Sequence, residues 1–309
     1  MPRANLKRTM TEAPWGWLLE PLYFGRRYLF TYRPWQTDRK AIERIFRKRM
    51  GYRPDLSDSK KFNEKLQWLK LHERIDLKVR CSDKILVRDY ISETVGPQYV
   101  VPLVLTSTSE AVITPEVLPE QPCVIKTNHD QGTVIVVHDK ERADFGRIRA
   151  KLRVALKTNL YHFAREWPYD RVERKILVEP HLNPESALGL KDFKVFCFNG
   201  HPRIIQVDHD RFAEHTRNIY SASWDPLEVT SGYGRGEVEQ APHCLDEMLY
   251  IARKLSSPFR FVRVDCYVVN GKPMVGELTF FPTGGFKPFS PDSFDRELGD
   301  MLSLSVVNG

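Results

Sequence analysis

Two carboxylates, an arginine and a threonine stand close together in the stretch 261–281, FVRVDCYVVNGKPMVGELTFF. Arg263 and Asp265 are two residues apart, as are Glu277 and Thr279, so each pair shares one face of a strand. Two runs rich in β-branched and aromatic residues flank Asn270-Gly271, the strongest short hairpin signal. Charges set among Val, Tyr, Phe and Met are costly when buried unless paired or bound to a metal. Two chemistries fit the pattern. One is a surface ion pair on a sheet with one wet face. The other is a magnesium site, because hard cations take carboxylate oxygens and magnesium reaches enzymes mostly with phosphates. A regular two-residue turn at Asn270-Gly271 opposes Asp265 to Gly276 and sends Glu277 to the other face. A shared metal face therefore requires a register shift of one, by an odd-length loop or a bulge, and Gly276 is the expected place.

Three further stretches carry candidate chemistry. In DFKVFCFNGHPRIIQVDHDR, a second hairpin over Asn199-Gly200, Asp192 and Lys194 share a face and Arg203 lies on the returning arm. An edge strand kept soluble by charge would read the same way. In PCVIKTNHDQGTVIVV, a strand ending at Lys126 leads into a polar loop from Thr127 to Gly132 that includes His129, and a second strand runs from Thr133 to Val137. Loop N–H groups and a lysine make a candidate phosphate flap, against the alternative of an ordinary solvated turn. It is not a Walker A loop, lacking GxxxxGK[ST] and a following helix. The strand KILVEPHL carries Glu179. Gly232, Gly234 and Gly236 in GYGRG have no strand–turn–helix context and read as a mobile loop.

The elements that must position these residues are those of an ordinary globular chain. Of 309 residues, 41% are hydrophobic and 28% charged, enough for one large or two medium domains. A net charge of +7 suits an acidic partner such as a nucleotide, a phosphorylated lipid, an anionic membrane or nucleic acid. Basic residues are interspersed with acids and no nucleic-acid fold signature is present, so nucleic acid is not expected as a partner. Five dispersed cysteines without a CxxC pair read as reduced thiols of a cytosolic protein. No apolar run approaches the ~20 residues that span a bilayer. The segment Trp15–Phe30, WGWLLEPLYFGRRYLF, mixes aromatics with arginines and reads either as an interfacial anchor or as an arm packed on its own domain.

Helical periodicity predicts α-helices over 37–50, over about 59–71 with Phe62, Leu66 and Leu69 inward, and from a Ser82 cap toward Gly96-Pro97 with Leu86, Tyr90 and Ile91 inward. A short strand is expected over Val100–Val104. Further helices are expected over 142–157, with Phe145, Ile148, Leu152, Ala155 and Leu156 inward, over HCLDEMLYIARKLSS, with Leu245, Met248, Leu249, Ala252 and Leu255 inward, and beyond Pro291.

In this order, SDKILVRDYI, PCVIKTNHDQG, REWPYD, KILVEPHL, DFKVFCFNG, LDEMLYIARKLS and FVRVDCYVVNGKPMVGELTFFPTGG resemble the ATP-grasp superfamily, most closely its TupA-like (teichuronopeptide-biosynthesis) members. The resemblance spans about residues 60–290. It implies an α+β, ATP-grasp fold of two lobes clasping ATP, with a helical N-terminal section. The implied division is an arm and helix over 1–58, a catalytic domain over 59–295 (a helical part about 59–104, a flap lobe about 105–180, a C-terminal lobe about 181–295) and a tail over 296–309.

The same resemblance implies roles for individual residues. Lys126 and Lys84 are the phosphate lysines, joined by His129 and Gly132 of the flap. Glu179, Pro180, His181 and Leu182 form the hinge that binds adenine, largely through backbone groups. Asp192 is the ribose-binding acid, Asp265, Glu277 and Thr279 are the Mg2+ ligands, and Arg263 faces the γ-phosphate. Lys194 and Arg203 hold the transferring phosphoryl group or an anionic substrate. The chain departs from the family pattern twice. The flap has a single glycine and places Asp130 beside the phosphates, and the acid-x-Asn metal pattern reads Glu277-Leu278-Thr279. The implied activity is an ATP- and Mg2+-dependent carboxylate–amine ligase forming an acyl phosphate in cell-surface polysaccharide or peptide-conjugate assembly, its carboxylate and amine substrates free or sugar- or glycan-linked. The expected location is the cytoplasm, at most touching the inner membrane face through Trp15–Phe30. Two alternatives are a sugar phosphotransferase or glycosyltransferase, and a binding module for nucleic acid or membrane.

Overall fold

The computed structural model describes residues 37–130, 132–182, 191–209 and 215–305. The segment Trp15–Phe30 lies outside the described residues. Its strands are β1 (Leu105–Ser107), β2 (Cys123–Thr127), β3 (Val134–Val137), β4 (Ile176–Pro180), β5 (Asp192–Phe198), β6 (His201–His209), β7 (Thr216–Ser221), β8 (Phe261–Val269) and β9 (Lys272–Thr279). The described α-helices are α1 (Asp38–Met50), α2 (Phe62–His72), α3 (Asp76–Ser82), α4 (Val87–Thr94), α5 (Phe145–Lys157), α6 (Tyr161–Ala164), α7 (Pro168–Arg171), α8 (Leu245–Ser256) and α9 (Ser293–Met301). They fall into two units, one holding Leu103–His181 and the other joining Ile42–Pro102 to the chain from Leu182 onward.

The first unit is built on an antiparallel sheet of order β1-β4-β2-β3. Alternation along β2 and β4 turns Cys123, Ile125, Ile176 and Val178 to one face, where Ile148 and Leu152 of α5 complete an apolar core. Lys126 and Glu179 belong to the opposite face, with the exposed Val134 and Val136 of edge strand β3 beside them. The strand expected at Val100–Val104 starts later, at Leu105, because β1 takes its register from β4, Leu105 lying opposite Val178.

The second unit has an antiparallel sheet of order β7-β6-β5-β8-β9. β5 lies at its centre and is buried along its whole length. The edge-strand reading of Asp192 and Lys194 is therefore wrong. One sheet face, with Val195, Cys197, Ile205, Val262 and Val264, shares its core with Met248, Ile251, Ala252 and Leu255 of α8. On the other face Phe62 of α2 packs against Phe261 with ring centroids 4.9 Å apart, and against Phe198 at 5.5 Å. Away from these rings, that second face carries charge.

Ser82 does not cap the third predicted helix but ends α3, and Leu86 is exposed. The chain breaks at Asp83, whose carboxylate accepts from the N–H groups of Ile85 (2.7 Å) and Leu86 (3.4 Å). α4 then starts at Val87, which with Tyr90 and Ile91 turns inward. Polar residues of α2 and α3 are buried for a reason. Gln67 Nε2 and Lys70 Nζ donate to the carbonyl of Gly284 at 3.1 and 2.6 Å, in a turn where Thr283, Gly284 and Gly285 all have positive φ. Lys78 Nζ pairs with Glu73 and lies 5.1 Å from the Phe280 ring centroid, while Arg260 Nη1 donates to the other Glu73 oxygen at 2.7 Å.

Glu73 is thus the one carboxylate serving two cations beneath the end of β9. Glu73→Ala should cost about 3–5 kcal/mol in urea unfolding, since it strands Lys78 in the core. Lys78→Met leaves Glu73 with Arg260 and should cost clearly less. Equal losses would show that Arg260 does not sustain the carboxylate alone.

Candidate functional site

Both two-residue turns form as the sequence signals. Asn199 and Gly200 have φ of 49° and 79°, and Asn270 and Gly271 have 52° and 76°, the left-handed pair of a type I′ turn. Pairing from Asn270-Gly271 runs regularly from Val269–Lys272 to Cys266–Val275 and then shifts, so that Asp265 opposes Glu277 and Arg263 opposes Thr279. Gly276 is the extra residue, where the bulge was expected. A Cβ there would meet Tyr267 Cε2 at 2.6 Å, which accounts for the glycine.

The bulge puts four polar side chains on one face. Arg263 donates to both oxygens of Asp265, Nε at 2.6 Å and Nη2 at 2.5 Å, and from Nη2 to Thr279 Oγ1 at 3.2 Å. Thr279 Oγ1 donates to Glu277 Oε1 at 3.3 Å, and the same oxygen lies 3.7 Å from Arg263 Nη2. Lys84 Nζ stands 3.6 Å from Glu277 Oε2. Burial pushes Asp265 up to about 7, with Arg263 opposing and the charge of Glu277 adding. Burial also works against ionisation of Glu277, but Lys84, Arg263 and Lys194 bring it down to about 2. The two carboxylates are driven apart in pKa, as neighbouring like charges are.

Charge continues across the sheet. Lys194 opposes Asp265 and Gln206, and Asp192 opposes Asp208, all on this face. Lys194 Nζ pairs with Asp192 and lies 3.1 Å from Asp208 Oδ2, and Arg217 of β7 grips Asp208 through Nε at 2.5 Å and Nη2 at 3.1 Å. Burial opposes ionisation of Asp208, but Arg217 and Lys194 hold its carboxyl well below the usual range. Asp192 is therefore tied into a buried network. Arg203 is exposed, the extra residue of a second bulge, and the structure does not bring it to this cluster. Asp208, Gln206 and Arg217 were missed. QVD carries the two-residue spacing of a shared face, but β7 was not recognised, and without it Arg217 had no face. The GYGRG loop is pinned rather than mobile. The carbonyl of Gly234 accepts from Arg217 N at 2.9 Å, Gly236 N donates to Asn218 Oδ1 at 3.1 Å and Glu239 N to Tyr220 Oη at 3.1 Å.

In the first unit, Lys126 Nζ donates to Glu179 Oε2 at 2.5 Å. The loop after it carries an acid that bonds within the loop. The Asp130 carboxylate accepts from Gly132 N at 3.2 Å, Thr133 N at 3.0 Å and the Thr133 hydroxyl. The N–H of Gly132 is thus engaged by an internal anion. His129 is fully buried, its Nε2 3.2 and 3.1 Å from the carbonyls of Ala155, in the last turn of α5, and Thr158, just past it, and burial lowers its pKa. It anchors that helix end and is withdrawn from ligand contact. At the expected adenine hinge Pro180 has no N–H, and His181 N donates to Pro122 O at 2.8 Å. Leu182 follows at the unit boundary.

Whether the face fits magnesium can be judged from its donors. Among the described residues no three His, Cys, Asp or Glu side chains converge as a metal cage. Two carboxylates and a hydroxyl fit an ion that completes its shell with phosphate oxygens and water. Among the described residues no helix is long and apolar enough to cross a membrane, and all five cysteines are free and buried.

No functionally curated protein matches the sequence. Solved structures of similar shape include D-alanine–D-alanine ligase from Bacillus anthracis (19% identity, TM-score 0.38, covering 65% of this chain and 57% of that one). The corresponding ligase from Helicobacter pylori has 13% identity and TM-score 0.42, covering 80% and 68%. The ATP-grasp ligase PsnB, complexed with a minimal precursor, has 10% identity and TM-score 0.36, covering 70% and 58%. The chain spans less than two thirds of the Bacillus ligase and of PsnB, and likeness at this level extends to neither activity nor substrate. The sequence matches the family described as TupA-like ATPgrasp over residues 64–303. With the bulged β8–β9 pair and its ordered motifs lying inside that span, the chain belongs to the TupA-like ATP-grasp family.

Proposed function

We propose that the chain is an ATP- and Mg2+-dependent carboxylate–amine ligase. The observation that carries this reading is the Gly276 bulge, which gathers Asp265, Glu277 and Thr279 on one face around Arg263, in a chain of the ATP-grasp family. The reading extends to a place in cell-surface polysaccharide or peptide-conjugate assembly, supported only by likeness to the family.

In this reading a substrate carboxylate oxygen attacks the γ-phosphorus, the bond to ADP breaks, and an acyl phosphate forms. An amine nitrogen then attacks the acyl carbon, phosphate leaves, and the amine proton passes to solvent. No protein nucleophile is needed, and positioning with charge neutralisation carries most of such catalysis. Asp265, Glu277 and Thr279 would hold the magnesium ion, which when bound supplies charge neutralisation at the phosphates. Lys84 and Lys126 neutralise phosphate charge. Arg263 exchanges Asp265 for the γ-phosphate, and Lys194 offsets charge on the transferring group.

Incubation with MgATP and panels of acids and amines should release ADP and phosphate only when both are present. ADP with a stable phosphorylated product in the absence of amine would point to a kinase instead. Asp265→Asn should lower turnover by about 10²-fold or more. It should also abolish Mn2+ retention with a non-hydrolysable ATP analogue, read by electron paramagnetic resonance. Retention of Mn2+ by that variant would remove Asp265 from the metal site.

Arg263 bonds Asp265 and Thr279 and lies 3.7 Å from Glu277, against all three proposed metal ligands, so it competes with free metal. Arg263→Met should therefore bind Mn2+ at least about tenfold more tightly without nucleotide, equivalent to about 1.4 kcal/mol, while losing turnover. Unchanged nucleotide-free affinity would show that the guanidinium does not occupy the metal's place.

A further inference from the structure

The charged face does not end at Asp208. Beyond it, Arg217 Cζ lies 4.8 Å from the ring centroid of Tyr233, and Lys287 Nζ lies 4.4 Å from the same ring. His215 stacks on that ring at 3.8 Å. A guanidinium, an ammonium and a histidine thus converge on one partly exposed tyrosine. Arg217 already has Asp208 and the Ser231 carbonyl, 2.9 Å from Nη1. Lys287 is different. Half-buried, it makes no ion pair among the described residues, and its charged neighbours are Arg217, which repels it, and Asp208, which attracts it. Burial is the main cause lowering its pKa.

The lysine is held there by construction. Gly232 has a φ of +76°, and a Cβ on it would meet Lys287 Cε at 1.8 Å. The bare backbone of Gly232 is what lets the lysine lie across the loop. That loop is itself fixed to β7 through Gly234, Gly236 and Glu239. A cation held beside another cation, against an aromatic face and without its own carboxylate, is arranged for an anion that arrives from outside.

Strand order measures how far this point is from the proposed chemistry. Arg217 lies on β7 and Asp265 on β8, three strand steps apart, or roughly 14 Å at ordinary spacing. An anion held by Lys287 is therefore not the carboxylate reacting beside Arg263. We propose that Lys287, with Tyr233 and Arg217, binds a second carboxylate of the same substrate, so that the acid substrate carries at least two carboxylates several bonds apart. This rests on the ligase reading for which end reacts, but the anion site itself does not.

The test is calorimetric titration of the full chain with penta-L-glutamate as a carrier of spaced carboxylates, with acetate and inorganic phosphate as single anions. The wild type should bind penta-L-glutamate and bind acetate far more weakly. Lys287→Ala should weaken penta-L-glutamate binding about tenfold or more, Tyr233→Ala should weaken it too, and Lys287→Arg should keep most of it. Because Lys287 faces Arg217, Lys287→Ala should not lower the melting temperature, which separates lost binding from lost folding. Binding of a non-hydrolysable ATP analogue with Mg2+ should be unchanged in Lys287→Ala. Equal penta-L-glutamate binding by wild type and Lys287→Ala, or none by the wild type, would overturn the inference. So would Lys287-dependent binding of phosphate or the ATP analogue, which would make the cluster a nucleotide subsite. Failure of the ATP analogue to bind the wild type, with Lys287-dependent penta-L-glutamate binding intact, would instead count against the ligase reading alone.

Discussion

The bidentate bond between Arg263 and Asp265 is the interaction around which the second unit is arranged. Both side chains leave adjacent β8 positions on the same face, and neither can be withdrawn from water without the other. The requirement propagates. Glu277 is balanced by Lys84 and Arg263, Lys194 stands opposite Asp265, and Asp208 is shared by Lys194 and Arg217. Each charge is neutralised by neighbours on adjoining strands, so strand register sets electrostatics. A slip of one residue at Gly276 would unpair Glu277 as surely as a mutation.

Such a face needs a rigid backing, and the apolar side of the sheet supplies it against α8. Less expected is the polar backing at the end of β9. Gln67 and Lys70 are buried in α2, Glu73 just past its end and Lys78 in α3, where a simple amphipathic pattern would place apolar side chains. They secure the segment that leaves Thr279 by its carbonyls, through Gly284, and by its rings, through Phe280. Buried polar residues of this kind favour one arrangement of the chain, because any other leaves them unsatisfied.

The sequence was most readable where a local rule and a distant demand met. Asn270-Gly271 specifies its turn by backbone preference alone, and the need for Asp265 and Glu277 to share a face then requires the bulge. It was least readable where a side chain answers to a residue far along the chain. Nothing local says that His129 turns inward to the carbonyls of Ala155 and Thr158, or that Asp130 engages the N–H groups of its own loop. The same holds for Arg203, whose place depends on a bulge that no glycine announces. β7 escaped notice because it is short and Arg217 and Asn218 interrupt its β-branched and aromatic residues. It pairs with β6 through Asp208 and Arg217, opposite charges directly across the ladder.

Charge balance gives the site its last constraint. The face from Lys84 to Lys287 gathers Lys84, Lys194, Arg217, Arg263 and Lys287 against Asp192, Asp208, Asp265 and Glu277, leaving only a small positive surplus. A triphosphate brings more negative charge than that surplus can neutralise, and a second acidic substrate adds to it. On the ligase reading, a divalent cation entering with the nucleotide is therefore an electrostatic necessity. On that reading Asp265 and Glu277 would hold the ion, and the Arg263 guanidinium would then be available to the phosphate. A face that is nearly neutral when empty can thus be folded stably and still receive a polyanion, because its own ion pairs are exchanged for pairs with the ligand.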